Sequence, residues 1–309
     1  LNLSNNKFKN KIKNFVTLQC PSNTSKSEFG HALREIIIPV IAVLLAMAIG
    51  MVVLLIAGKN PVAGYSVMIQ GAFGDMDALG ETLLRATPII LTGLAVAFAF
   101  KCGLFNIGAD GQLMIGALTA AYFGYSIKWT NGWVHFILVM VFSIIASAIW
   151  AAIPAILKAY RGVHEVISTI MLNYIAMSFC AFMIDKLRTS EIPKTPDVSE
   201  DVMFSQLSEF IPAFGASEVS TGFLLAVFMC VLIYFLLKKT VVGYEVKAVG
   251  YSPLASELNG ISIKKNIILA MIISGILSGL AGTERVLGYA YSFKAGLSAG
   301  YGFEGIAVA

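Results

Sequence analysis

Seven apolar stretches, over residues 36–57, 83–100, 113–127, 133–157, 166–184, 221–237 and 267–287, recur along the chain and leave most of its charge in the connectors. A helical crossing of a bilayer needs about 20 consecutive apolar residues, and the hydrocarbon core offers no water to an open backbone. The pattern therefore predicts an all-α, polytopic integral membrane protein with about seven complete transmembrane helices. Composition points the same way: 57% of the 309 residues are hydrophobic and 13% charged, and the mean hydropathy is +0.79, far from a soluble domain. The formal net charge of +4 is too modest to point to nucleic acid.

The stretches at 83–100 and 113–127 are short for full spans, and glycines and a carboxylate lie between them in KCGLFNIGADGQLMIGAL, residues 101–118. Discontinuous helices at membrane depth commonly frame transport sites. Asp110 has two readings. Its carboxylate can cap the following helix and answer the positive end of the helix dipole. Alternatively, Asn106, Asp110 and Gln112 face a solvated pathway, since a charge facing lipid costs about 2.5–3.5 kcal/mol or more. Gly116, Ala120 and Gly124 recur at small-xxx-small spacing, as do Gly275 with Gly279 and Ser274, Ser278 and Gly282, giving two helix faces that admit close neighbours.

Cationic residues set the orientation. Residues 1–30 form a basic cytoplasmic tail with Lys7, Lys9, Lys11, Lys13 and Lys26, in which Phe8, Ile12, Phe15 and Val16 suit a surface helix on anionic lipid. The transmembrane domain occupies residues 31–309 and enters from the cytoplasm behind Arg34. Residues 58–82 suit a short interfacial helix. Lys101, and then Lys158, Arg161 and His164, mark inner ends, while Trp129 and Trp133 suit interfacial anchoring. The charged loop 185–220, with Pro193, Pro196 and Pro212, falls outside and serves either as a docking surface or as a solvated connector. Loop 238–266 carries five lysines and falls inside. Within it, Ser252 followed by Pro253 opens a short helix, SPLASEL, closed by Asn259 and Gly260. That helix suits a contact element for a cytoplasmic partner and an interfacial turn equally.

Glu284 and Arg285, at the outer end of the last span, are positioned to pair. Beyond them Gly302, Phe303, Glu304 and Gly305 repeat the pattern of Gly108, Ala109, Asp110 and Gly111, which predicts two related halves and the start of another discontinuous helix. Because that segment has begun without its outgoing helix, the chain is expected to be truncated at its C-terminus. No G-x-x-x-x-G-K-[ST] loop, H-E-x-x-H or G-x-S-x-G motif occurs, so neither a nucleotide loop nor a hydrolase constellation is available. Cys20, Cys102, Cys180 and Cys230 lack metal-ligand spacing and read as structural.

The runs GETLLRATPIILTGLAVAFAFKCGLFNIGADGQLMIGAL, GVHEVISTIMLNYIA and GYEVKAVGYSPLASELNGISIKKN resemble permease subunits of bacterial ABC importers for nucleosides, within the wider family serving sugars and branched-chain amino acids. The resemblance covers residue 36 to the end. It implies a translocation subunit of the bacterial cell membrane, with no cofactor of its own and with ATP and Mg handled by partner ATPase subunits. A second permease subunit, homo- or heterodimeric, and an extracellular substrate-binding lipoprotein complete the implied machine. Residues 251–261 match the cytoplasmic loop that docks on the ATPase, making Ser252, Pro253, Ala255, Glu257, Leu258 and Gly260 coupling candidates. Asn106, Asp110 and Gln112 fall in the family's broken helix, and Glu165, Ser168 and Asn173 in the second run beside the pathway. Glu304, in the repeated pattern, joins them as a pathway candidate. Phe105, Tyr122 and Tyr174 are available to stack on a base. The alternatives carried from the sequence are a sugar permease of the same family and an ion-coupled secondary carrier using Asp110, Glu165 or Glu304.

Overall fold

The computed structural model describes residues 25–127, 131–189, 191–210, 214 and 217–309. Most of the basic tail, including its expected surface helix, lies outside these residues, as do Trp129 and Pro212. The described chain is helical: α1 (Ser25–Ile56), α2 (Pro61–Phe73), α3 (Met76–Lys101), α4 (Ala109–Ser126), α5 (Gly132–Arg161), α6 (Glu165–Leu187), α7 (Gly222–Lys239), α8 (Val241–Tyr251), α9 (Pro253–Leu258), α10 (Ile263–Arg285) and α11 (Tyr301–Val308). Extended pairing among the described residues is confined to two isolated bridges, Lys194 with Lys294 and Gln206 with Ser220.

The described residues fall into two compact units, divided between Ile69 and Gln70 within α2. In the first, α1 starts at Ser25, inside the expected tail, and presents a long exposed apolar run through Val40–Ile56. The Asn60 side-chain oxygen accepts from the Val62 amide at 3.0 Å, and Pro61 occupies the first helical position, a pairing that starts α2 without leaving a donor orphaned. This is the short helix expected within 58–82. The rest of that stretch already belongs to α3, which Asp75 caps through the Ala78 amide at 2.7 Å. On its polar first turns Glu81 and Arg85 pair at 2.8 Å across one turn, a small addition to helix stability.

The second unit is built around α10, which packs against α3, α4 and α5. Small residues permit this. A Cβ on Gly282 would strike the Leu113 carbonyl of α4, Gly116 and Gly279 face each other across the α4–α10 contact, and Gly275 lies against Ala151 of α5. Hydroxyls then connect the helices: Ser143 donates to the Gly116 carbonyl at 2.7 Å and Ser147 to the Gln112 carbonyl at 3.0 Å. Such interhelical bonds cohere in a medium where apolar burial drives little association.

Among the described residues five helices, α3, α5, α6, α7 and α10 with its extension to Ala290, are long and apolar enough to cross a membrane. The chain is thus a multi-pass membrane protein. The seven crossings expected from the sequence add α1 and α4 to these five. Of the two, α4 carries Asp110 and Gln112 and is buried along most of its length by its neighbours, so surrounding helices, not lipid, make its environment.

The described part of segment 191–221 is neither a bare connector nor a regular element. Val198 donates to the Tyr291 carbonyl at 2.8 Å, Ser199 to Gly124 at 3.0 Å and Phe204 to Leu287 at 2.9 Å, while Val198, Val202, Leu207 and Val219 are buried. It folds as a lid over the ends of α4 and α10. Lys194, bonded to Asp197 at 2.9 Å, holds that carboxyl below its ordinary value. His135, buried at the start of α5, bonds to Asp201 of the lid at 3.0 Å.

Candidate functional site in the interrupted helix

The interruption read from the sequence is present: α3 ends at Lys101, α4 begins at Ala109, and residues 102–108 are non-helical between them. Gly103 takes a φ of +73°, a left-handed conformation that a Cβ disfavours, and it turns the chain where α3 stops. Gly250 of α8 lies directly on the Lys101 carbonyl, so the end of α3 seats against α8.

Asn106 organises the break. Its amide donates to Gln112 Oε1 at 3.1 Å and to Ser274 Oγ of α10 at 2.8 Å, and its oxygen accepts from the Gly108 amide at 2.9 Å. Asn173 of α6 completes the frame, accepting from the Gly111 amide at 3.0 Å and donating to the Ile107 carbonyl at 2.9 Å. Asn106, Gln112 and Asn173 are all buried. The solvent-facing row that the sequence allowed is here a closed network in which amide groups satisfy one another and the broken backbone.

Asp110 lies in the first turn of α4, but the capping bond that one of its two readings offered is not made. Gly108 holds the N-cap position and, being glycine, has no side chain to cap with, while its own amide donates to Asn106 at 2.9 Å. The Asp110 carboxylate instead accepts from the Gly302 amide at 3.2 Å and from Ser298 Oγ at 3.4 Å. A side chain on Gly302 would collide with the Asp110 backbone. The first turns of α4 and α11, the two segments whose sequences repeat, therefore meet at these residues.

The other pathway candidates lie elsewhere. Glu165 pairs with Lys158 at 2.7 Å where α5 passes into α6. Ser168 donates to the Glu165 carbonyl of its own helix at 3.0 Å, and Glu304 is exposed on α11. Phe105, Tyr122 and Tyr174 are exposed, and Tyr174 borders an open groove of about 430 Å³ on α6 with Phe179 and Phe182.

At the far end of α7 from the lid, α9 forms as its sequence predicts: Ser252 accepts from the Ala255 amide at 3.4 Å, Pro253 is the first helical residue, and Gly260 ends the turn with a φ of +80°. Ser256 is buried and donates back to the Ser252 carbonyl at 2.9 Å. Its neighbours project outward, with Leu254 71% and Leu258 83% exposed.

Sequence reasoning missed the serines of α5, although Ser143, Ser147 and Ala151 form a small-residue row at the same spacing as those it identified. It also expected Glu284 and Arg285 to pair. They form no ion pair: Glu284 accepts from Ser220 at 3.1 Å, and the Arg285 guanidinium lies 4.4 Å from the Tyr289 ring centre and 5.2 Å from that of Tyr301.

Against known proteins, residues 78–309 match the family described as the permease component of the branched-chain amino acid transport system. The chain is 39% identical over 279 residues to the guanosine ABC transporter permease protein NupP of Bacillus subtilis, covering 90% of this chain and 79% of that one. It is 36% identical to the nucleoside ABC transporter permease protein NupB of Lactococcus lactis, covering 89% and 78%. With the glucose ABC transporter permease protein TsgB13 of Haloferax volcanii the identity is 33%, covering 88% and 73%. No solved structure matches the chain significantly. A family match over most of the chain, together with a multi-pass helical unit built on an interrupted helix, means that this protein belongs to the permease-component family of the branched-chain amino acid transport system.

Proposed function

We propose that the chain is the membrane-spanning subunit of an ATP-driven importer that moves nucleosides received from a substrate-binding lipoprotein. The observation that carries the cargo is the 39% identity, spread over 279 residues, to a guanosine permease. In this reading the N-terminus is cytoplasmic, 191–221 is an external lid, and α9 is the cytoplasmic knob that meets the ATPase through Leu254, Glu257 and Leu258, with Ser252, Pro253, Ala255 and Gly260 shaping it. Seven crossings in two related halves complete the subunit, which works beside a second permease. The Asn106, Gln112 and Asn173 network holds the interrupted helix beside the pathway, and the Asp110–Gly302 contact ties the two broken segments so that they move together. ATP-driven movement of α9 then shifts the bundle between outward- and inward-open states.

Labelled-nucleoside uptake, in cells carrying the transporter with an intact or a disabled ATPase site, tests this. Uptake that vanishes with the ATPase and is competed by nucleosides but not by glucose is the expected result. The 33% identity to a glucose permease favours a second reading, in which uptake remains ATP-dependent but only sugars compete. Uptake that survives loss of the ATPase would instead mark an ion-coupled carrier.

A further inference from the structure

Arg285 stands out as a buried cation whose guanidinium has two nitrogens without a hydrogen-bond acceptor. Only 6% of it is exposed, yet its Nε and Nη1 atoms have no hydrogen-bond partner, and neither Glu284 nor any other described carboxylate forms an ion pair with it. Burying a guanidinium without acceptors is costly unless something supplies them. The surroundings are equally specialised. Immediately after Arg285 the helix widens into a π turn, Val286–Ala290, and the next residue, Tyr291, takes a φ of +53°. Single π turns and left-handed non-glycine residues concentrate where a side chain must be aimed for function.

Two tyrosines frame the guanidinium. Tyr289 comes from the π turn and is partly exposed, so the cluster borders the surface on that side. Tyr301 opens α11, and its backbone is held from two directions: its carbonyl accepts from Thr92 of α3 at 2.9 Å, and the following Gly302 is bonded to Asp110. The cluster thus sits between the lid, which bonds to the adjacent Leu287 carbonyl, and the contact of the two interrupted segments.

We propose that Arg285, framed by Tyr289 and Tyr301, reads the nucleobase of the transported nucleoside by donating N–H groups to adjacent acceptors on its edge. The inference rests on the nucleoside reading above. A planar guanidinium matches two neighbouring acceptors, and a 6-oxopurine presents such a pair in O6 and N7, whereas adenine places an amino donor beside N7. The tyrosine rings keep the guanidinium in plane for that contact and offer faces to the base. Arg285 is accordingly a specificity residue favouring guanosine and inosine over adenosine.

The experiment compares labelled guanosine and adenosine uptake by the transporter assembled with its ATPase, second permease and an unaltered delivering protein, so that any change in the ratio originates in this chain. Arg285→Gln is expected to lower the guanosine-to-adenosine ratio about tenfold, with adenosine uptake little changed. Arg285→Lys keeps the charge but lacks the planar fork and is expected to fall between Gln and wild type. A ratio within about twofold of wild type, in a variant present in the membrane at native amounts, overturns the proposal, and so does an equal loss of both substrates. Where the Gln variant does not assemble, the Lys variant decides by the same criterion. A wild-type transporter that takes up no nucleoside at all sinks the nucleoside reading itself, a result distinct from nucleoside uptake whose selectivity ignores Arg285.

Discussion

Asn106 makes the clearest claim at the scale of single residues. It is fully buried and engages Gln112, Ser274 and the Gly108 amide at once, so Asn106→Ala strands several polar groups together. Leaving one such group unsatisfied costs about 1–3 kcal/mol. Thermal unfolding of the purified variant in detergent should show at least that loss, and an unchanged transition would mean that the network contributes no stability. Gly282 tests packing in the same way. Its missing side chain is where the Leu113 carbonyl sits, and Gly282→Ala should destabilise by about 1–3 kcal/mol through overpacking. Gly71→Ala, on α2 with nothing within 4 Å of the new methyl, serves as the contrast and should be neutral or slightly stabilising.

Among the elements, α9 was the most legible in sequence. Ser252, Pro253 and Gly260 act through bonds only a few residues long, so the cap, the first turn and the stop could be read before any packing was known. Its proposed role is testable without disturbing those features: replacing exposed Leu254 and Leu258 by serine leaves the Ser252 cap and buried Ser256 intact. If α9 docks the ATPase, recovery of that subunit with the purified permease should drop about tenfold or more, as for loss of a buried apolar anchor. Native recovery would remove α9 from the interface. The interrupted helix was half legible. Glycines and Asp110 within apolar sequence announced the break, but neither reading of Asp110 named its partners Ser298 and Gly302, since their approach is a tertiary fact. The lid was less legible still: its prolines and charges read as a loop, while the backbone bonds that fasten it to Gly124, Leu287 and Tyr291 leave no local pattern.

For the molecule as a whole, the division of labour follows from how α10 is surrounded. Glycine and serine rows on α4, α5 and α10 bring backbones close enough for hydroxyl-to-carbonyl bonds, making a tightly packed centre against which more peripheral parts can shift. The Asp110–Gly302 contact couples the start of α4 to that of α11, and Thr92 binds α11 to α3. A displacement of any one of these three helices is therefore felt by the others.

Sequence by itself determined that the chain is helical and membrane-embedded, where the helix breaks, which helix faces are small enough to pack closely and how α9 is capped. Each of these depends on hydrophobic length, residue size or hydrogen bonding within a turn or two, so the information is local. Only the tertiary structure decided that Asn106 would find Ser274, 168 residues away, that Asp110 would receive Gly302, 192 residues on, and that Arg285 would turn from Glu284 to two tyrosines. In a low-dielectric interior a buried polar group takes whichever partner packing brings within about 3 Å, and that partner is set by how the helices cross, not by the residues beside it in the chain.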